Sequence, residues 1–224
     1  MYEEWASPLP HVVAWRSVTP PGSGPQRILP DGCLDLIWAD GRVFIAGPDT
    51  AAQVVAAVPG VRSFALRFGV GTGAGVLGLP ASDVVDHRVA LEAVWPAAEV
   101  RAIAEAGDPL AALTEAARRR WVAPDPVMVG LAGAARRGVP VGVVAEQSGL
   151  SPRQLQRRSN AAFGYGPKTL QRVFRLQRAV SMARAGRPFA TVSADAGYAD
   201  QAHLAREVRA MAGVPLGALL NRSP

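Results

Sequence analysis

Cysteine is almost missing: the 224 residues contain one, Cys33. A disulfide framework within the chain is excluded, which suits a reducing cytoplasm. Histidine is scarce too. His11, His87 and His203 are scattered, and with one cysteine they make no zinc-ligand spacing. No stretch approaches the roughly 20 uncharged apolar residues of a membrane helix. The opening MYEEWASPLPHVV lacks the basic and apolar regions of a signal peptide. The expected location is therefore the cytoplasm, without a membrane partner. No paired acid and base and no nucleophile constellation stand out, so no enzymatic activity, metal or cofactor is expected. Apolar residues, by contrast, make up 49% of the chain, which argues against disorder and allows one large domain or two small ones.

Charge is unevenly divided. Residues 1–117 hold 7 arginines against 13 acids, whereas residues 118–224 hold 17 basic side chains against 5 acids. An acidic half joined to a basic half suggests two domains with different partners. A compact domain this basic is expected to attract a polyanion.

The first half reads mostly as strands. HVVAWRSV (11–18) and RSFALRFG (62–69) are rich in β-branched and aromatic residues, with the loop TPPGSGP (19–25) after the first. In CLDLIWADGRVFIAG, Leu34, Leu36 and Trp38 alternate, and Asp40-Gly41 supplies a hairpin turn into Val43–Ala46. GTGAGVLGLPASDVVD turns to short helical or irregular structure. From Ala97 to Arg120 the period is helical, with a break at Gly107-Asp108-Pro109.

WVAPDPV (121–127) interrupts that periodicity where the charge changes sign. The expected organisation is a domain over 1–120, a linker over 121–125 and a second domain over 126–224. Helices are expected over 126–137, 141–147, 151–163, 167–185, 190–196, 200–212 and 216–220. Glycines at the breaks suit helix C-caps.

Two segments of the second half repeat one design. Gly149-Leu150 matches Gly197-Tyr198, Leu155 matches Leu204, Arg157 matches Arg206, and Gly164 matches Gly213. The second copy has one extra residue after its turn. Each copy follows a short helix with Ala and Val inside, so the pattern is helix–turn–helix, twice. The second helix of such a unit can enter a DNA major groove. In copy one, Ser151 caps the helix, Pro152 starts it, Leu155 points inward with Ser159 and Ala162, and Arg153, Gln156 and Arg157 face outward. In copy two, Leu204, Val208 and Met211 face inward, and Gln201, Ala202, Ala205, Arg206 and Arg209 outward. Arginine can read guanine and glutamine adenine by paired hydrogen bonds. His203 sits beside the inward stripe, where packing or a local hydrogen bond is the favoured role and a DNA contact the alternative.

These features resemble the DNA-binding domain of AraC-type transcription regulators. GLS-x-x-x-L-x-R is met by Gly149–Arg157, R-L-x-x-A by Arg175-Leu176 and Ala179, and G-[FY]-x-D-x-x-x-[FL]-x-R by Gly197–Arg206. The resemblance implies base contacts from Arg153, Gln156, Arg157, Gln201, Ala202 and Arg206. Ser151, Arg158, Lys168 and Arg209 are its candidates for phosphate contacts. Where the family usually has Phe, two residues after each Arg, this chain has Ser159 and Val208. Leu170 replaces a family Tyr, and Pro215 falls one position early. A hydroxyl at Ser159 must find a partner or leave a cavity, costing about 1–3 kcal/mol.

LPDGCLDLIW (29–38), AGPDT (46–50) and ALRFGVGTGAGVLGLPASDVVD (65–86) resemble the sensory domain of a subgroup of these regulators. Such domains bind a small effector or make dimers, and the resemblance leaves both open. Trp38 and Arg67 are the candidate effector residues within it. Asp31 and Asp35 read as a turn cap and an exposed strand position, with a place in an effector pocket as the alternative. GAGVLG (73–78) fits a dinucleotide fingerprint, but hairpin signals around it argue for antiparallel pairing and a plain loop. Cys33 reads as a packed apolar residue rather than a nucleophile. RRRW (118–121) reads as a solvated helix end, with a phosphate contact as the alternative.

The expected fold is α+β: an N-terminal, mainly antiparallel β domain with flanking helices, then an all-α domain with two helix–turn–helix units joined by a long helix. The expected function is sequence-specific transcription regulation. Its expected partners are promoter or operator duplex DNA, RNA polymerase, a small-molecule effector and a second copy of the chain. Two other classes stay open: an enzyme or small-molecule-binding first half with a DNA-targeting module, and a non-specific DNA-binding protein.

Overall fold

The computed structural model describes residues 1–220; residues 221–224, the tail of the second expected domain, lie outside the described residues. Strands β1 (Tyr2–Ala6), β2 (Val12–Val18), β3 (Gln26–Ile28), β4 (Leu34–Ala39), β5 (Arg42–Ala46), β6 (Gln53–Val55) and β7 (Arg62–Phe68) come first. A short helix α1 (Ala74–Leu77), a 3-10 turn (Ala81–Val84) and strand β8 (Arg88–Ala90) follow. Helices α2 (Ala97–Ala104) and α3 (Pro109–Arg119) close the first half. The six-stranded sheet runs β1-β2-β7-β4-β5-β8 with every pairing antiparallel, and β3 pairs with β6 separately. This is the α+β architecture the sequence implies.

The β4–β5 hairpin turns at Asp40 (φ 44) and Gly41 (φ 78), two successive positive values that match the strand twist. Strand alternation then sorts the faces. Leu34, Leu36 and Trp38 are buried and join a core that also holds Val100, Ile103, Leu113 and Ala117 from α2 and α3. Trp38 donates its indole N–H to the Ala104 carbonyl at 2.9 Å. Asp35 points to the other face. It is not the exposed strand position that the sequence suggests: it accepts from Trp15 Nε1 at 2.8 Å and pairs with Arg67 at 3.2 Å. Burial raises its carboxyl to about 6, against the pull of Arg67. The 73–78 loop follows β7, which pairs antiparallel on both sides, so the βαβ context of a dinucleotide site is missing.

Residues 121–125 have no regular structure. Beyond them lie α4 (Pro126–Arg136), α5 (Val141–Ser148), α6 (Pro152–Phe163), α7 (Pro167–Arg184), α8 (Phe189–Ala196), α9 (Gln201–Ala212) and α10 (Leu216–Leu220). The expected helices match these bounds within about two residues. One face of α7 buries Leu170, Val173, Phe174, Leu176, Ala179, Val180 and Ala183, which makes it the spine of this half.

The halves are docked tightly. Val70 lies in the helical core, with Leu29, Cys33 and Val85 against it. The last turn of α6 sits on the β half. A Cβ on Gly71 would come within 2.6 Å of Phe163 Cε1, and one on Gly164 within 2.3 Å of Val85 Cγ2. At the end of α9, Arg27 Nη1 donates to the Ala212 carbonyl at 2.7 Å, and Ala52 N donates to Met211 at 2.6 Å.

Gly164 therefore carries two demands: φ of 85 and a close approach. Gly164→Ala is expected to lower stability by about 2–4 kcal/mol, from backbone strain plus the clash. Gly197→Ala, with the same φ of 85 and nothing within 4 Å, should lose only the strain part, about 1–2 kcal/mol. Urea midpoints of the two variants separate these effects; equal losses would mean that the contact of α6 with Val85 is not tight.

Candidate nucleic-acid interface

Both copies are built on one plan. α5 and α8 are braces of eight residues, each ending at a glycine in the left-handed region, Gly149 and Gly197. The second copy's extra residue is spent in the turn, because Asp200 restarts the count as N-cap just as Ser151 does. Ser151 accepts from Gln154 N at 3.3 Å while Gln154 reaches back to Ser151 N at 2.9 Å, a full capping box. Asp200 accepts from His203 N at 2.6 Å. α6 and α9 both run 12 residues and stop at left-handed glycines, Gly164 and Gly213.

Counted from each cap, the fourth position is buried Leu155 or Leu204, and the eighth is Ser159 or Val208. The opposite row is open. Arg153, Gln156 and Arg157 are exposed on α6, as are Ala202, Ala205, Arg206 and Arg209 on α9. Gln201 is exposed at the start of α9, and Ser151 and Lys168 are exposed near the N-termini of α6 and α7. The half-buried Asn160 has the same place on α6 as Arg209 on α9, and it accepts from Gln156 Nε2 at 2.9 Å. Asn160 was missed in the sequence; aligning the copies by their caps would have found it.

Three expected sites are placed differently. Arg158 is a phosphate candidate from sequence, but its guanidinium turns inward to Asp125, the N-cap of α4, with Nε at 3.0 Å. Its counterpart Glu207 is held by Arg172 at 3.0 Å and Arg175 at 3.5 Å on α7. α6 and α9 are thus each tethered from the seventh position after the cap, with opposite polarity. Trp38 and Arg67 are not brought together: adjacent strands put them on opposite faces of the sheet. Arg67 joins Asp35, while Trp38 is closed in the core. The arginines of RRRW are engaged too, since Arg118 pairs with Glu115, Arg119 and Arg120 pair with Glu99, and Arg120 stacks over Trp95 at 4.0 Å.

Local roles hold for the others. His203 Nδ1 accepts from Ala199 N at 3.2 Å, and its ring meets Tyr198 edge-on at 5.4 Å. Asp31 caps the turn by accepting from Cys33 N at 2.8 Å. Cys33 packs against the helical core, and burial pushes its thiol up. Among the described residues, no group of three or more His, Cys, Asp or Glu could hold a metal ion, and no helix is long and apolar enough to cross a membrane.

The helical half thus holds two helix–turn–helix units, each with a capped second helix and an exposed outer row. Residues 144–222 match the family described as a helix-turn-helix domain, and residues 8–90 match a domain of unknown function. Among solved structures, apo ToxT from Vibrio cholerae is similar in fold at a TM-score of 0.50 and 8% identity, covering 94% of this chain and 97% of that one. ToxT with a bound unsaturated fatty acid reaches a TM-score of 0.47 at 8% identity, over 93% and 94% of the two chains. No curated protein matches the chain.

Two outcomes test the supports of these helices. Ser159 is wholly buried and its hydroxyl has no hydrogen-bond partner among the described residues. Ser159→Ala is expected to raise stability by about 1 kcal/mol, read as a higher urea midpoint. An unchanged or lower midpoint would mean that the hydroxyl is satisfied. Hydrogen bonding from Arg172 holds the Glu207 carboxyl below its ordinary 4.5, despite partial burial. The unfolded chain then takes up this proton first as pH falls. The stabilisation is present above about pH 4.5 and is lost below it. Glu207→Gln should flatten that part of the stability-versus-pH curve; an unaltered curve would show that the tether is not formed in solution.

Proposed function

We propose that this chain is a sequence-specific DNA-binding transcription regulator that reads two successive major grooves. One observation carries the reading: the same exposed row, at the same distance from an N-cap and a stop glycine, occurs on α6 and on α9. α7 between them has 18 residues, a length of ~27 Å at 1.5 Å per residue. That suits grooves spaced ~34 Å along one face of a duplex. Arg153, Gln156, Arg157, Gln201, Ala202 and Arg206 are the proposed base readers. Ser151, Lys168 and Arg209 are the proposed phosphate holders. Arg158 is left with its tether to Asp125.

The N-terminal domain, over residues 1–120, modulates this activity in our reading. Its support is the docking of that half on the ends of both reading helices, through Phe163, Gly164, Met211 and Ala212. RNA polymerase, a small-molecule effector and a second copy remain its proposed partners. The helix-turn-helix match over residues 144–222 and the AraC-type motifs in the sequence support regulation over an enzyme in this reading.

Selection of bound sites from random duplex DNA by the full chain, at about 0.15 M salt, tests the reading. Two short boxes one helical turn apart are expected. Arg206→Ala should cost about 1–3 kcal/mol on the selected site and relax preference within one box only. A ratio of specific to random affinity near one would favour a non-specific DNA-binding protein instead.

A further inference from the structure

The reading face of α6 does not stand free. A groove of about 950 Å³ runs beside it, and its two walls come from different halves of the chain. Arg153, Gln156, Arg157 and Asn160 line one wall; Pro80 and Ser82, at the Ala81–Val84 turn, line the other. The turn is pressed against α6: a Cβ on Gly164 would lie 3.1 Å from the Ala81 carbonyl, besides its clash with Val85. Pro80, Ser82 and Asp83 are all exposed. The Ser82 hydroxyl lies 3.2 Å from Asp83 Oδ1, which puts a carboxylate at the rim. Among the described residues, the hydrogen bonds that join α9 to the β half are at its C-terminal end.

We propose that this groove seats one sugar–phosphate strand of the duplex read by α6, so that the N-terminal domain is part of the DNA interface. The inference rests on the DNA-reading function proposed above. A helix inserted in the major groove is flanked by phosphates, and here the flank is occupied by Ser82 and Asp83. The Ser82 hydroxyl, once turned away from Asp83, can donate its one proton to a phosphate oxygen. Asp83 opposes phosphate by its charge. The rim therefore weakens binding at copy one relative to copy two, and any shift of the Ala81–Val84 turn changes it directly.

Cysteine scarcity makes the test specific. Cys33 is the sole native thiol and is packed into the helical core. Ser82→Cys in the full chain, alkylated with a photoreactive azidophenacyl group, is irradiated with the duplex selected above and with a random duplex of equal length. Untreated-sequence chain given the same reagent is the blank. Glu105→Cys, just past α2, is the control for accidental proximity, since α2 packs on β5 and α3. Strong crosslinking from Ser82→Cys, and none above blank from Glu105→Cys, is expected. Separately, Asp83→Lys should tighten duplex binding several-fold and steepen the log–log salt dependence by about 0.9 for each phosphate gained, while Glu105→Lys should do much less. If the chain binds duplex but Ser82→Cys crosslinks no better than Glu105→Cys, and the two lysine variants behave alike, the inference falls and the DNA reading stands. If the unaltered chain binds no duplex at all, the DNA reading falls and the inference goes with it.

Discussion

The burial of α7 is the constraint on which the helical half depends. Its apolar side is covered along nearly its whole length, from Leu170 to Ala183. Its polar side reaches out to each neighbour in turn. Gln171 donates to the Val139 carbonyl before α5, and Arg172 and Arg175 hold Glu207 on α9. Arg178 donates to the carbonyls of Ala196 and Arg136 at 3.2 and 2.8 Å, closing the ends of α8 and α4. Gln177 reaches across to the Pro30 carbonyl in the β half. A single element thus packs against both second helices of the helix–turn–helix units, and its length sets their spacing.

The arginine count overstates what is free to meet a polyanion. Arg158, Arg172, Arg175, Arg178 and Arg187 are all engaged by carboxylates or helix-end carbonyls. Arg175 lies 4.9 Å from the Tyr198 ring and Arg136 4.6 Å from Phe174. Guanidinium suits this work, because its planar fork can satisfy two acceptors while its face stacks on an aromatic ring. The arginines left on the outward rows are few, and one pair, Arg157 and Arg206, occupies the same position in the two copies. The charge that marks the second half as basic is therefore divided between scaffold and surface.

Much of this was legible in the sequence. Helix bounds were readable because Pro and Gly punctuate the second half, with Pro126, Pro152 and Pro167 at first positions and left-handed glycines at stops. The long β4–β5 hairpin was readable from alternation and Asp40-Gly41. β1 was not: YEEWA is mostly exposed at the sheet edge, and pairing with β2, rather than its own pattern, makes it a strand. β3, β6 and β8 have three residues each, too short for a period to show. Outward rows followed from spacing to the caps. Partners across the fold did not, so Arg158 looked free until Asp125 came beside it. Trp38 and Arg67, both effector candidates, fall on opposite faces of the sheet because the pleat alternates.

The docking surface has a consequence for modularity. Composition and charge mark a boundary at residues 121–125, yet Val70 belongs to the helical core, Phe163 rests on Gly71, and Tyr165 lies beside Gly32. Severing the chain at that boundary would strip both pieces of apolar cover at once. The two halves read as separate domains in sequence but share one stretch of interior. Heat or denaturant should therefore dismantle them in a single cooperative event, and neither half would behave as an independent building block.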